Sequence, residues 1–320
     1  MVKILIIQLS ALGDIIYTLY NVKKLYNSLG NCQIDWLYKT KNDILINQKE
    51  ILNCINYKDI DTITDKYDYI IDLGTKTQTL YLRYRLSGIK IGFSSNKKKF
   101  VSWFNDYNIA FDYNISVIEN QVNLFRFLCE LLNMTFNLEH CPTISYPDTT
   151  ISIIDNYCSF IKKKIKKKIK KKIKKKDIII LNPNASKSSK ELPINSWQNI
   201  FEILKIYDYS YILIGGNFGA KGKVLSDIIK NNYSFINILP TKLDNFNNIG
   251  YLIKNSKLVI TPDTSILHLA EFQKIKCIGY FTDSSNKQII SWGDPEMIDY
   301  QLIDSTFDFS KIKQILNKLN

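Results

Sequence analysis

Short apolar runs alternate with amphipathic stretches along the chain, and this alternation predicts strands that alternate with helices. In the first half, the predicted strands are residues 4–9, 34–38, 69–73 and 89–93, and the predicted helices are residues 14–29, 77–86 and 117–132. The pattern restarts near residue 177, with strands at 177–181, 211–214, 235–239, 258–261 and 276–281 and helices at 196–207, 222–230, 247–255, 264–272 and 310–319. Strands that are joined by helices pair in parallel, so each half is expected to form a doubly wound sheet.

The two halves predict an α/β protein with two Rossmann-like, doubly wound domains that face a central cleft. We expect an N-terminal domain at residues 1–155, a lysine-rich interdomain segment at 156–176, a C-terminal domain at 177–305 and a C-terminal helix at 306–320. Ligands of such sheets bind beyond the carboxyl ends of the strands. The loops after the predicted strands are therefore the candidate ligand-binding segments.

The net charge of +13 comes almost entirely from one segment. Residues 162–176 read KKKIKKKIKKKIKKK, which holds 12 lysines, and the rest of the chain carries a net charge of only +1. Overall basicity is therefore no sign of nucleic-acid binding. The isoleucines recur every four residues, so the segment predicts either a basic amphipathic helix that contacts an anionic membrane or a solvated connector. Both interpretations stay open at this stage.

The cysteines and the hydropathy pattern indicate a cytoplasmic protein. The six cysteines are scattered, without a C-x-x-C pair or the spacing of a zinc site, which is typical of a reduced compartment. No stretch approaches the roughly 18–20 apolar residues that span a bilayer, and the N-terminus lacks the features of a secretory signal. We therefore expect cytoplasmic localisation, with any contact at the inner membrane being peripheral.

The loop after the first predicted strand carries a candidate catalytic carboxylate. Ser10 can cap the helix that follows, Gly13 permits a close backbone turn, and Asp14 lies where that helix begins. A carboxylate at this place is stabilised by the positive end of the helix dipole. Asp14 is therefore either a capping residue or a general base at the mouth of the cleft.

Two loops in the second half suit a phosphate group. Residues 182–193 follow a buried strand and contain two lysines and three serines, without the spacing of a P-loop. In residues 261–268, Asp263 is expected to cap a helix whose first N–H groups, on Thr264 and Ser265, would face an anion. His268 lies one turn into that helix. Together these loops predict a diphosphate that is held against a domain with a carboxylate, as sugar transfer from a nucleotide requires.

Three segments resemble glycosyltransferase family 9, the bacterial heptosyltransferases. These segments are residues 3–19 (KILIIQLSALGDIIYTL), 184–197 (NASKSSKELPINSW) and 261–270 (TPDTSILHLA). A weaker similarity covers residues 69–74 (YIIDLG) and 83–93 (RYRLSGIKIGF). The order and the spacing of these segments cover nearly the whole chain.

The resemblance implies a GT-B fold, an inverting mechanism without metal or other cofactor, and transfer of a heptose from ADP-heptose to the lipopolysaccharide inner core. Asp14 matches the general base that deprotonates the acceptor hydroxyl group. Lys190 matches the lysine that neutralises the donor diphosphate, and Ser186 matches a hydroxyl contact beside it. Asp263, Thr264 and His268 match the donor-site block, and Ser265 is a further candidate donor contact within it. Ser10, Gly13 and Gln78 are the candidate acceptor-side residues of the cleft.

The chain differs from the family pattern at several positions. Ser265 replaces a glycine, Leu192 replaces an aromatic residue, and residues 215–223 lack the acidic residue that often holds the ribose. Gln8 and Gln78 stand where basic residues are common. Two alternatives therefore stay open, namely a family 9 transferase that uses another nucleotide sugar and a non-catalytic relative that binds a saccharide or a nucleotide.

Overall fold

The computed structural model describes residues 1–39, 43–63, 66–74, 79–94, 102–169, 177–216, 219–281, 298–302 and 308–319. The chain divides into two compact units, Met1–Ser145 and Tyr146–Asn320. Each unit is built around a six-stranded, parallel sheet. The prediction of an α/β protein with two Rossmann-like units is therefore confirmed.

In its described residues, unit 1 contains the strands β1 to β6 and four α-helices. The strands are β1 (Val2–Ile7), β2 (Cys32–Tyr38), β3 (Asn53–Asn56), β4 (Tyr69–Asp72), β5 (Ile89–Ser94) and β6 (Tyr107–Ala110). The helices are α1 (Leu12–Leu29), α2 (Asp43–Ile46), α3 (Leu80–Arg85) and α4 (Val117–Leu131). The strand order is β3-β2-β1-β4-β5-β6, and α1 packs beside α4.

Unit 2 repeats this plan with β7 to β12. Its strands are β7 (Ile178–Leu181), β8 (Ser210–Leu213), β9 (Ile236–Ile238), β10 (Leu258–Pro262), β11 (Cys277–Phe281) and β12 (Ile298–Leu302). Its helices are α5 (Asp148–Ile169), α6 (Ile194–Leu204), α7 (Gly219–Asn232), α8 (Phe246–Lys254), α9 (Ser265–Phe272) and α10 (Phe309–Leu319). The strand order is β12-β11-β10-β7-β8-β9.

Both sheets therefore have the order 3-2-1-4-5-6 when their strands are counted along the chain of each unit. The central strands are continuous apolar runs because helices cover both faces of a parallel sheet. In β1 and in β7 the sequences are VKILII and IIIL, and all four residues of β7 are buried. In such a sheet the first and fourth strands are neighbours, and the crevice beyond their carboxyl ends is the expected place for a ligand.

The boundary between the units differs from the expected one. The first unit ends at Ser145 rather than at residue 155, and the lysine-rich segment begins inside a helix of unit 2. The reason is that Ile154, Cys158 and Ile161 are spaced to lie on one face of α5, and all three are buried. This face packs α5 against α8. The helix continues to Ile169, and residues 170–176 lie outside the described part of the chain.

Among the residues that the structure describes, no helix combines the length and the apolar character that crossing a membrane requires.

Candidate functional site

The predicted base lies in the first turn of α1. The helix begins at Leu12 with Ala11 as its N-cap, so Gly13 is its second residue and the partly exposed Asp14 its third. The expected capping role of Ser10 is wrong, because Ser10 precedes the cap and instead donates its backbone N–H to Gln8 Oε1 at 3.3 Å. Asp14 therefore occupies the turn in which the helix dipole stabilises a carboxylate.

A buried chain of amide and hydroxyl groups fixes the start of α1. Gln8 at the end of β1 and Gln121 on α4 both donate to Thr18 Oγ1 on α1, at 3.0 and 3.1 Å. Asn21 Nδ2 donates to Gln121 Oε1 at 3.2 Å. Gln8 is only 2% exposed. Its buried side chain therefore helps to hold the start of α1, where Asp14 lies. The sequence alone carried no sign of this role, because Gln8 stood out only as a replacement for a basic residue.

A buried ion pair fixes the loop after β4. Arg83 Nε donates to Asp72 Oδ2 at 2.6 Å, and its other nitrogens donate to Asn105 Oδ1 and to the carbonyl oxygen of Gly74. Both charged side chains are almost fully buried. Burial raises the pKa of Asp72, and the charge of Arg83 opposes that rise. The predicted acceptor-side residue Gln78 follows this loop and lies outside the described residues.

In unit 2, Lys190 and Asp263 form the centre of the predicted donor site. Lys190 ends a short 3-10 turn, Ser188–Lys190, and its ammonium group forms an ion pair with the Asp263 carboxylate. The Lys190 side chain is 30% exposed, whereas that of Asp263 is 9% exposed. Ser186, in the loop before this turn, is exposed. The structure thus gives Lys190 a carboxylate partner and leaves part of its surface open to solvent.

The loop that carries Lys190 is held by a second, neighbouring ion pair. Glu191 Oε1 accepts a hydrogen bond from the Ala185 backbone N–H at 2.9 Å, and Glu191 Oε2 lies 3.1 Å from Lys221 Nζ. Lys221 also donates to the carbonyl oxygen of Leu192 at 2.9 Å. Leu192 itself is 1% exposed and belongs to the apolar core of the unit. The leucine that replaces the usual aromatic residue therefore serves as core packing.

His268 extends the pair into a row of alternating charges. Its Nε2 lies 3.6 Å from Asp263 Oδ1, and its Nδ1 lies 3.1 Å from Glu271 Oε2. Burial favours the neutral imidazole, but the two carboxylates outweigh it and raise the pKa of His268 above its ordinary value. Burial also opposes the charge of Asp263, but His268 and Lys190 outweigh it and lower the pKa of that carboxyl. Glu271 was not among the predicted site residues, although its spacing of three residues from His268 on the same helix was a signal for this contact.

The expected cap of α9 needs a correction. The N-cap is Thr264, not Asp263, because Thr264 Oγ1 accepts the Ile266 N–H at 3.3 Å and the helix begins at Ser265. The first helical N–H groups are therefore those of Ser265 and Ile266. Ser265 has no positive φ, so its position does not demand the conformational freedom of glycine. Asn182 donates to Thr261 Oγ1 at 2.9 Å and thereby joins the ends of β7 and β10.

Lys190, Asp263 and His268, with Thr264 and Ser265 at the start of α9, thus lie together at the carboxyl ends of β7 and β10. Within the described part of the chain, Ser186 makes no hydrogen bond to this group. A partly exposed ammonium group, a buried imidazole with a raised pKa and a helix N-terminus suit a ligand with several negative charges. The described residues contain no group of three His, Cys, Asp or Glu side chains that could hold a metal ion.

Comparisons with known proteins identify the family of the chain. The sequence model described as glycosyltransferase family 9 (heptosyltransferase) matches residues 60–313. No curated protein matches the sequence.

Several solved structures share the fold. The Escherichia coli heptosyltransferase WaaC with ADP-2-deoxy-2-fluoro heptose has a TM-score of 0.73 and 13% identity, over 99% of this chain and 100% of that one. The E. coli ADP-heptose lps heptosyltransferase II has a TM-score of 0.71 and 15% identity, over 99% and 97%. A family 9 glycosyl transferase from Veillonella parvula has a TM-score of 0.75 and 15% identity, over 99% and 89%.

These similarities confirm the predicted fold class, since the neighbours are GT-B glycosyltransferases. The family match covers well over half of the sequence and includes Lys190, Asp263 and His268. The chain therefore belongs to glycosyltransferase family 9, the heptosyltransferase family, and is a glycosyltransferase.

Proposed function

We propose that this glycosyltransferase moves a heptose from ADP-heptose to the inner core of lipopolysaccharide, with inversion at the anomeric carbon and without a metal ion or other cofactor. The observation that carries the proposal is the pairing of Asp263 with both Lys190 and His268 inside the region that matches the family. The WaaC structure with ADP-2-deoxy-2-fluoro heptose supports a nucleotide-sugar donor of this kind.

Asp14 is the proposed general base. Its carboxylate takes the proton of the acceptor hydroxyl group while that oxygen attacks the anomeric carbon of the donor sugar. The bond between this carbon and the diphosphate oxygen breaks, and the nucleoside diphosphate leaves with the bonding electrons. Because attack and departure occur on opposite faces, the configuration inverts. The buried hydrogen bond from Gln8 to Thr18 holds the start of α1, and therefore Asp14 in its first turn, in place.

Lys190 is the proposed partner of the leaving diphosphate. Negative charge grows on that group as the glycosidic bond breaks, and an ammonium group close to it stabilises the transition state. In the structure Lys190 is paired with Asp263. A bound diphosphate would take over part of this interaction, while the raised pKa of His268 favours a positive charge on the other side of Asp263. The Ser265 N–H at the start of α9 and the Ser186 hydroxyl group are the further proposed contacts.

The helix α5 is the proposed contact with an anionic membrane. Its exposed surface includes Ile153 and Phe160, which are 44% and 64% exposed, and its sequence continues into the lysines of residues 162–176. Apolar side chains beside lysines are typical of helices that lie in the headgroup region. This contact would place the enzyme peripherally at the cytoplasmic face of the inner membrane, close to a lipid-linked acceptor.

The decisive experiment for the donor is a transfer assay with ADP-heptose and purified inner-core acceptor. We expect a glycosylated product of inverted configuration by NMR, with unchanged rates in EDTA. Parallel reactions with GDP- and UDP-sugars test the alternative donor. A product from one of these alone would contradict the choice of ADP-heptose, and nucleotide binding without turnover would indicate a non-catalytic relative.

Vesicle co-sedimentation tests the membrane contact. The protein should bind vesicles that contain an anionic lipid and should lose that binding when the lysines of residues 162–176 are changed to glutamine. Neutral vesicles are the control. Equal sedimentation of the wild-type and the glutamine variant would refute the role of the segment.

A further inference from the structure

A carboxylate from a distant part of unit 2 lies at the end of β8. Asp244 follows the short 3-10 turn Thr241–Leu243, which comes after β9. Its Oδ2 accepts a hydrogen bond from the backbone N–H of Gly215 at 3.0 Å, although the two residues are 29 positions apart. Gly215 lies two residues after the end of β8, at the start of residues 215–223, which contain no acidic residue. The fold thus supplies an acidic group where the local sequence has none.

The turn at Gly215 has a backbone conformation and close contacts that only glycine accommodates. Gly215 has a φ of +66°, and its carbonyl oxygen accepts from Asn184 Nδ2 at 2.8 Å. A Cβ atom on Gly215 would lie 2.3 Å from that nitrogen, and one on Gly222 would lie 2.5 Å from the Gly215 carbonyl oxygen. These close approaches require glycine at both positions. The backbone of the turn is therefore held between Asn184 and Asp244.

Asp244 has hydrogen-bonding capacity to spare. Its side chain is partly exposed, and within the described part of the chain Oδ1 accepts no hydrogen bond, whereas Oδ2 accepts the one from Gly215. A carboxylate with one oxygen used inside the fold and the other open can accept hydrogen bonds from a ligand hydroxyl group. Burial raises the pKa of Asp244 to about 6, which leaves the group ionised at neutral pH.

The position of Asp244 beside the end of β8 indicates which hydroxyl group of a ligand could donate a hydrogen bond to it. Unit 2 has the order 3-2-1-4-5-6, and β8 is its second strand. Nucleotide-binding sheets of this order use a carboxylate to accept a hydrogen bond from a ribose hydroxyl group, while the phosphates lie at a helix N-terminus. Asp244 lies beyond β8, and the Lys190–Asp263 pair lies beyond the adjacent β7 and β10.

We propose that Asp244 binds the ribose of the donor nucleotide and accepts a hydrogen bond from its 2′- or 3′-hydroxyl group. This assignment rests on the proposed use of a nucleotide-sugar donor, but it depends on neither the base nor the transferred sugar. It makes Asp244 a residue of donor specificity, separate from the diphosphate contacts at Lys190.

Calorimetry with ribose and deoxyribose ligands tests the assignment. ADP, GDP and UDP are titrated first, and the tightest of them is then compared with its 2′-deoxy and 3′-deoxy counterparts. In the wild type, at least one deoxy compound should bind about 10-fold or more weakly, as the loss of a hydrogen bond to a charged group implies. In Asp244→Ala this ratio should fall to within about 2-fold, because the acceptor is gone in both cases.

Two further variants make the result specific. Asp244→Asn can keep the hydrogen bond from Gly215, so it preserves the turn while weakening the bond to ribose, and an intermediate ratio is expected. Lys190→Ala should weaken the ribose and deoxyribose ligands equally and keep the wild-type ratio. Equal binding of ribose and deoxyribose ligands by the wild type, or a full ratio in both Asp244 variants, would overturn the assignment while leaving the proposed donor class intact. If none of the three diphosphates binds, both the donor proposal and this assignment fail.

Discussion

The two units carry an aspartate at the same place in the same topology, and the two aspartates differ in their surroundings. In each sheet the fourth strand lies beside the first. Asp72 is the last residue of β4, and Asp263 directly follows β10. Each forms an ion pair with a basic residue from another part of its unit, Arg83 in the first case and Lys190 in the second.

The difference lies in the exposure of the cation. The Arg83 side chain is fully buried, whereas that of Lys190 is 30% exposed. A cation that is buried with its carboxylate cannot leave without stranding a charge, so the Asp72 pair is part of the scaffold. A partly exposed cation can share its charge with an incoming anion. Asp263 has in addition a second partner, His268. The same place in the topology therefore holds a buried structural ion pair in unit 1 and a partly exposed ion pair, the proposed ligand site, in unit 2.

The largest expected effect is a loss of turnover, without a loss of donor binding, when Asp14 is replaced. Replacing Asp14 by alanine should lower kcat by about 10²- to 10⁴-fold, because a general base typically contributes that much. The donor Kd should stay within a factor of about 2, since the proposed donor contacts lie in unit 2. Steady-state kinetics and calorimetry measure the two quantities, and circular dichroism checks the fold. Retained turnover would refute the assignment of Asp14 as the base.

The next largest effect is expected at the buried Asp72–Arg83 ion pair of unit 1. Changing Arg83 to methionine should lower the free energy of unfolding by about 3–5 kcal/mol, because it leaves the Asp72 carboxylate buried without its cation. Urea denaturation measures the change. The matched variant is Lys190→Met in unit 2, which should cost less than about 1 kcal/mol because Asp263 keeps His268 as a partner. Equal losses in the two variants would contradict the distinction between a scaffold pair and a ligand pair.

The third effect tests the ligand role of the exposed cation. Lys190→Ala should raise the donor Kd by about 10- to 100-fold, the effect expected from losing a hydrogen bond to a charged group. Lys187→Ala is the control, because Lys187 is an exposed lysine of the same loop, and its change should leave the Kd nearly unaltered. Isothermal calorimetry with a nucleoside diphosphate measures both. Equal affinity of the wild type and the Lys190 variant would remove Lys190 from the donor site.

The smallest effect concerns pH and the second partner of Asp263. The pKa of His268 is raised above its ordinary value of 6.5, so its protonated form stabilises the fold. This stabilisation is complete below pH 6.5 and is lost as the pH rises through the folded-state pKa. The pKa of Asp263 is lowered below 3.8, so that group stays ionised above pH 6. The stability difference between the wild type and His268→Asn should therefore shrink from pH 6 to pH 9. If urea denaturation gave the same stability difference at pH 6 and pH 9, this prediction would be contradicted.

The sequence missed three strands that lie at sheet edges, although the edge strand β9 was predicted. The central strands β1, β7 and β10 are predicted because burial on both faces makes them continuous apolar runs. The missed strands β3, β6 and β12 lie at sheet edges. β3 and β6 have only four residues each, NCIN and YNIA, and none of them is buried, so they lack the apolar run of a central strand.

The site shows a similar division. Lys190, Asp263 and His268 were found from loop position and residue type, and the structure places them together. The cap of α9 was placed one residue early, because both Asp and Thr favour an N-cap and only the backbone geometry distinguishes them. Asp244 was not predicted, because the sequence around it gives no sign of its hydrogen bond with Gly215.

Local pattern alone determined the alternation of strands and helices, the two-unit plan and the loops that carry chemistry, because periodicity and turn residues act over a few positions. Only the tertiary structure decided which charges meet. Asp72 and Arg83 are 11 residues apart, Gly215 and Asp244 are 29 apart, and Lys190 and Asp263 are 73 apart. Such partners are chosen by the strand order of the sheet, which brings the ends of distant strands to one edge, and by the burial that fixes how much of each charge stays open to a ligand.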